Sequence, residues 1–305
     1  MTLSTLTKDD LDRRLGGKGI SLKTGPFVFR IRSKIPSVAS GLHLLYADCP
    51  LIHDDEFVDF DVRMERGGGL HRWFHPQVRF VCDVSSPFKP LPISHAYPLL
   101  EWAMNWCIST QAHQYLMLHA AVIEREGHAV ILPAPPGSGK STLCAALIHR
   151  GWRLLSDEMT LISTVDTDIV PLCRPVSLKN ESLDIIRDFA PSAVFSEVVP
   201  DTSKGSVGLM KVDKHHLDRV KSAARPGWVI FPKYVPAATA QLAPRSRADS
   251  MLELARNAFN YGLLGALGFH TLADVVDQSD CYDFEYSALD DAVQIFDTLV
   301  TSRSS

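Results

Sequence analysis

The sequence lacks any apolar run near the roughly 20 residues that a bilayer-spanning helix requires, so no membrane span is expected. It lacks an excess of either charge. A formal net charge of −4 gives no field to hold nucleic acid or an anionic membrane, and neither is expected as a partner. No Cys-x-x-Cys pair occurs. The six cysteines, Cys49, Cys82, Cys107, Cys144, Cys173 and Cys281, are scattered and several sit in apolar stretches. That pattern reads as reduced, buried thiols and argues against disulfides or zinc ligands. There is no internal repeat and no low-complexity tract. The opening residues Met1 to Asp10 are polar without a signal-peptide apolar core, so the expected compartment is the cytoplasm. What is present is an ordinary globular balance over 305 residues, 46% hydrophobic and 22% charged, with room for one large domain or two modest ones.

Against that background one segment stands out. Residues 134–142 read Ala-Pro-Pro-Gly-Ser-Gly-Lys-Ser-Thr, between an apolar strand (Ala129 to Pro133) and an apolar helix (Leu143 to Ile148). A strand–loop–helix frame aims backbone N–H groups at an anion on a helix start. Gly137 and Gly139 permit close backbone approach, Lys140 reaches β- and γ-phosphates, and the Ser141 hydroxyl can ligate Mg²⁺. Ala134 stands where such loops usually carry glycine, which a negative φ tolerates. Pro135 and Pro136 have no N–H, so the cradle starts at residue 137. The expected nucleotide-binding set is Pro136, Gly137, Ser138, Gly139, Lys140, Ser141 and Thr142, with ATP and Mg²⁺ as ligands.

The remainder divides in two. Residues 1–14 read as a short polar helix or tail. Period-two runs (27–31, 57–62, 78–82) separated by turns and by Gly67-Gly68-Gly69 predict a small, mainly-β unit. A helix over 99–114 follows, whose Trp102, Trp106 and Ile108 read as core. The expected domains are 1–112, a small N-terminal α+β unit, and 113–305, the loop-bearing domain. In the second, Tyr115 to Ile123 predicts one buried strand, forming a hairpin with the strand before the loop. Met251 to Leu267 and Asp290 to Leu299 predict helices.

A phosphate-binding loop requires a further magnesium ligand on a neighbouring strand, commonly an aspartate at the end of an apolar run. Arg153-Leu154-Leu155-Ser156-Asp157-Glu158 supplies it. Adjacent acids on a strand face opposite ways, so one of Asp157 and Glu158 can hold metal while the other faces an acceptor. His119, on an apolar strand, reads from the residues alone as a satisfied core histidine. Lys204, in a Ser-Lys-Gly-Ser loop, is long enough to reach a transferred phosphate. Arg245 and Arg247 read as solvated charge.

Taken together, His119-Ala120, the Gly137–Ser141 loop and Asp157-Glu158 resemble HPr kinase/phosphorylase in order and spacing. Over nearly its full length the chain is similar to the HprK-related kinase A family. The matching stretches are Leu15-Gly16-Gly17, Thr24 to Phe27, Leu100-Glu101-Trp102, Asn105-Trp106-Cys107, Gly151 to Glu158, Ser177 to Ser182 and Asn257 to Tyr261. The resemblance implies an α/β (α+β) fold: a P-loop domain of the HPr kinase and PEP-carboxykinase type, with a mixed sheet, behind a small mainly-β N-terminal unit. It implies catalytic roles for His119, Lys140, Asp157 and Glu158, and metal roles for Ser141, Asp157 and Glu181. It also implies a homo-oligomer. Glu158 stands where that family has a second aspartate, which predicts forward transfer with little of the reverse reaction.

The function expected is kinase activity, with the γ-phosphoryl of Mg-ATP passing to a hydroxyl, such as a serine, of an acceptor protein, peptide or small molecule. The alternative is a P-loop ATPase or nucleotide-gated regulator whose only acceptor is water. A module that keeps nucleotide only for stability is disfavoured by the intact Lys-Ser-Thr and Asp-Glu groups.

Overall fold

The computed structural model describes residues 1–53, 55–68, 74–135 and 137–303. Pro136 and Gly69, both singled out above, lie outside the described residues. The architecture is mixed α/β, with several sheets. Among the described residues no helix is long and apolar enough to cross a membrane.

The chain opens with α1 (Lys8–Gly16), whose first turn is capped by Thr7: its hydroxyl oxygen accepts the Asp10 N–H at 3.1 Å. Leu3, Leu6, Leu11 and Leu15 are buried, so this segment is part of the core and not a tail. Strands β1 (Ile20–Thr24), β2 (Phe27–Ser33), β3 (Leu51–Ile52), β4 (Phe60–Arg66), β5 (Gln77–Cys82) and β6 (Leu91–Pro92) form one sheet, in the order β3-β1-β2-β4-β5-β6. In β2 the alternation is explicit: Phe27, Phe29, Ile31 and Ser33 are buried while Val28, Arg30 and Arg32 are partly exposed. Helices α2 (Pro36–Leu45) and α3 (Ala96–Gln111) complete the unit.

The predicted 115–123 strand is two strands. β7 (Tyr115–Leu118) joins a three-stranded sheet with β11 (Thr160–Ser163) and β12 (Ile169–Val170), while β8 (Ala120–Arg125) enters a different, six-stranded sheet. His119 is the hinge between them. A uniformly apolar run contains no mark for such a change, because both strands are buried. Asn260 holds β7 in place: its Nδ2 donates to the Tyr115 carbonyl at 2.8 Å and its Oδ1 accepts the Met117 N–H at 3.0 Å.

The six-stranded sheet also contains β9 (His128–Pro133), β10 (Arg153–Ser156), β16 (Arg225–Tyr234), β17 (Gln241–Pro244) and β18 (Asp280–Tyr286), in the order β10-β8-β9-β16-β18-β17. The β8–β9 hairpin is antiparallel as expected, β9-β16-β18 are parallel, and the sheet is therefore mixed. Helix α4 (Lys140–Ile148) follows the loop and is buried all round except at Ser141, the signature of a helix enclosed by its neighbours. It packs against β8, against β13 (Val176–Lys179) and against α5 (Glu181–Phe189). β13 pairs with a hairpin of β14 (Val199–Thr202) and β15 (Gly205–Met210).

After a short α6 (Lys214–Leu217), the predicted 251–267 helix is three pieces: α7 (Arg247–Arg256), α8 (Tyr261–Leu264) and α9 (Ala266–Asp277). The break coincides with Asn257–Asn260, whose backbone and side chains pair with β7 and His119 and so leave the helical ladder. The last helix, α10 (Leu289–Arg303), matches expectation. All six cysteines are buried and free.

Candidate functional site

The loop leaves β9 and returns as α4, with φ of +87° at Gly137 and +88° at Gly139. Those angles are strained for any residue with a Cβ. At Gly139 there is also no room, since a Cβ would run into the Tyr286 hydroxyl. Tyr286 Oη donates to the Gly139 carbonyl at 3.0 Å, and the Tyr234 N–H donates to the Ser138 carbonyl at 3.0 Å. The two tyrosines end β16 and β18, which run parallel to β9, so the loop is fixed at the carboxyl edge of the sheet, where open α/β sheets bind ligands. The side chain of Thr142 turns away, donating to Ser182 at 2.9 Å.

Lys140, at 7% exposure, is pushed down in pKa by burial, partly offset by Asp157 and Glu158. Its Nζ is 3.3 Å from His119 Nε2. An ammonium has no lone pair, so Nε2 accepts and the imidazole is neutral. Burial and the Lys140 charge push His119 to about 4, in keeping with that assignment. The His119 backbone N–H is anchored on the Asn257 carbonyl at 2.7 Å, and its ring meets Phe259 edge-on.

β10 stops at Ser156, and the two acids that follow part company. Asp157 turns inward: Oδ2 accepts the Ser177 N–H at 3.0 Å, and Oδ1 is buried with no hydrogen-bond partner. Burial raises its pKa, opposed by Lys140 and by the nearby Ser141 hydroxyl. Glu158 turns the other way. Its Oε2 accepts from Asn105 Nδ2 at 2.8 Å, and its Oε1 lies 3.4 Å from Lys204 Nζ. Burial alone would raise Glu158, but the ammonium groups of Lys204, Lys179 and Lys140 outweigh it and hold the carboxyl below its usual range.

The site therefore brings together His119, Gly137, Ser138, Gly139, Lys140, Ser141, Asp157 and Glu158, and adds Lys204. Glu181 opens α5 on an exposed face, and among the described residues no three or more His, Cys, Asp or Glu are gathered to hold a metal. An orphaned buried carboxylate oxygen beside a serine hydroxyl nonetheless fits a hard divalent cation, which in phosphate sites takes few protein ligands and keeps waters. Arg245 and Arg247 pair with Asp283 and Asp277. Trp102 is not core; half-buried, it faces the Lys204 ammonium at 5.2 Å. Together with Asn105, both acids of the pair, Met159, Leu172 and Leu209 it lines a cleft.

Sequence reasoning about chemistry missed Asn105, Arg174 and Tyr286. Asn105 lay in a stretch that carried the resemblance, which was its one signal.

A family model described as SynChlorMet cassette protein ScmC matches residues 98–169, less than half of the chain. Among solved structures the chain is similar to the Hpr(Ser) kinase/phosphatase from Coxiella burnetii at 12% identity, with a TM-score of 0.26, covering 62% of this chain and 95% of that one. No curated protein matches. A likeness at that TM-score carries no functional argument; the site has to carry its own.

Proposed function

We propose that this chain is an ATP-dependent phosphotransferase with an HPr-kinase-like P-loop fold, moving the γ-phosphoryl of Mg-ATP to a hydroxyl of a protein, peptide or small molecule. The observation that carries this reading is the unequal treatment of two adjacent acids. Asp157 keeps one oxygen unpartnered beside Ser141, while Glu158 is held between Asn105 and Lys204 and kept ionised. A metal ligand and a general base need those two environments.

In this reading the loop amides and Lys140 hold the β- and γ-phosphates. Neutral His119, by accepting from Lys140, orients the ammonium. Mg²⁺ on Ser141 and Asp157 would neutralise phosphate charge. The acceptor oxygen attacks the γ-phosphorus as its bond to the bridging oxygen breaks and the electron pair leaves with ADP. The hydroxyl proton passes to Glu158 Oε1, the oxygen not occupied by Asn105. Catalysis is mostly positioning and charge neutralisation.

The test is transfer of label from γ-labelled ATP to acceptors in a cell extract, located by mass spectrometry, beside ADP release without acceptor. Lys140→Ala should weaken nucleotide binding or turnover by about two to four kcal/mol. Unchanged ATP affinity and turnover in that variant would overturn the reading.

A further inference from the structure

Glu158 is held from the N-terminal unit. Its Oε2 accepts from Asn105 Nδ2 at 2.8 Å, and Asn105 belongs to α3. An asparagine amide presents an acceptor and a donor on opposite sides, so whatever fixes one fixes the other. Arg174 fixes the acceptor: its Nη1 donates to Asn105 Oδ1. A guanidinium can only donate, so the amide oxygen must face Arg174 and the NH₂ must face Glu158.

Arg174 is itself immobilised. It is 8% exposed, its Nη2 donates to the Glu101 carboxylate and, at 3.0 Å, to the Glu101 carbonyl, and its Nε donates to Tyr46 Oη at 3.2 Å. Tyr46 in turn donates to Glu101 Oε2 at 2.9 Å. Three of the groups in this chain of bonds, Tyr46, Glu101 and Asn105, come from residues before position 113, and they converge on an arginine that follows the acid pair. A network of this kind is more ordered than a single surface hydrogen bond, because each member is held by at least two others.

We propose that Asn105 is a positioning residue for the general base: oriented by Arg174, it occupies Glu158 Oε2 and leaves Oε1 as the oxygen that meets the acceptor hydroxyl, so that the N-terminal unit completes the active site. This rests on the reading of Glu158 as the base. It also gives the cleft its chemistry, since α3 supplies one wall through Trp102 and Asn105 and the acid pair supplies the other. Without Asn105 the carboxylate is free to rotate about its last bonds, and misplacement of a reacting group costs rate without costing nucleotide affinity.

The experiment is a double-mutant cycle on the full chain, reading ADP release from Mg-ATP with water as acceptor. Asn105→Leu removes both amide contacts. Asn105→Asp keeps an oxygen for Arg174 but sets a carboxylate against Glu158, and keeps the proposal testable should the leucine variant fail to fold. Each is expected to lower kcat by about tenfold to a hundredfold, with the KM for Mg-ATP unchanged. In a Glu158→Gln background each should cost nothing further, because Asn105 acts only through that carboxylate. A purely structural asparagine would lower turnover by the same factor in both backgrounds, and that result would overturn the proposal, as would full turnover in Asn105→Asp. If Glu158→Gln alone turns over like wild type, the base assignment itself fails, and that is visible before Asn105 is touched.

Discussion

A buried carboxylate oxygen without a partner is expensive, and Asp157 Oδ1 is one. The expected consequence is that Asp157→Asn disturbs Mg²⁺ dependence, whereas Glu158→Gln retains nucleotide and loses transfer by ~10²–10⁴-fold, the usual worth of a general base. Metal titrations of ADP release check the first and product formation at saturating Mg-ATP checks the second; equal defects in both would refute the division of labour. His119 gives a pH signature. Its folded pKa of about 4 lies below the ordinary 6.5, so the unfolded chain takes up the proton first. Stability from the neutral imidazole is whole above pH 6.5 and falls as pH drops toward 4. Denaturant titrations at pH 7, 6, 5 and 4 should show wild type losing stability relative to His119→Gln across that window, and parallel curves would mean the folded imidazole is not held neutral. At this scale the sequence was informative where the backbone admits one residue type, as at Gly139 with its positive φ beneath Tyr286. Asn105 and Arg174 were not legible because their roles depend on which of two amide ends faces which neighbour, a property of packing that spacing does not encode.

The loop and its helix act as one element, held from outside by two tyrosines. Gly137 and Gly139 share the same backbone angle, but only Gly139 lies under a side chain. Gly137→Ala should therefore cost only the backbone strain, about 1–2 kcal/mol. Gly139→Ala adds a collision with Tyr286 and should abolish ATP binding, and Gly139→Ala with Tyr286→Phe should recover part of it. Thermal melts and ATP titrations of the three variants decide this; indistinguishable single variants would show that the tyrosine does not clamp the loop. The hairpin before the loop was readable because its turn and the apolar runs on either side of it are local. The split of 115–123 between two sheets was not readable, because β7 pairs with β11 beyond the intervening loop and helix, and the break at Asn257–Asn260 was not, because the strand it pairs with lies about 140 residues earlier in the chain.

At the scale of the molecule, the expected boundary near residue 112 does not divide the core. Met117, Met159, Leu161, Leu172 and Leu209 belong to the same buried cluster as Leu11, Phe29, Val62 and Leu100. Asp48 pairs with Lys211 at 2.8 Å, and Arg174 is buried only in the company of Glu101 and Tyr46. Calorimetry should accordingly show one cooperative transition. Two well-separated transitions would mean that the units are energetically independent despite the shared core.

The parallel pairing of β9 with β16 has a consequence in time. Val130 meets Trp228, roughly a hundred positions later, whereas β8 and β9 meet across a turn. Hairpins close in microseconds, and long-range parallel pairing is slow. The tyrosine anchors on Ser138 and Gly139 exist only once β16 and β18 have docked, so the glycine loop is among the last parts of the chain to take shape. A nucleotide that recognises only the finished loop arrives after the rate-limiting barrier. It should slow unfolding and leave the refolding rate untouched, a pattern that stopped-flow traces with and without Mg-ATP would register.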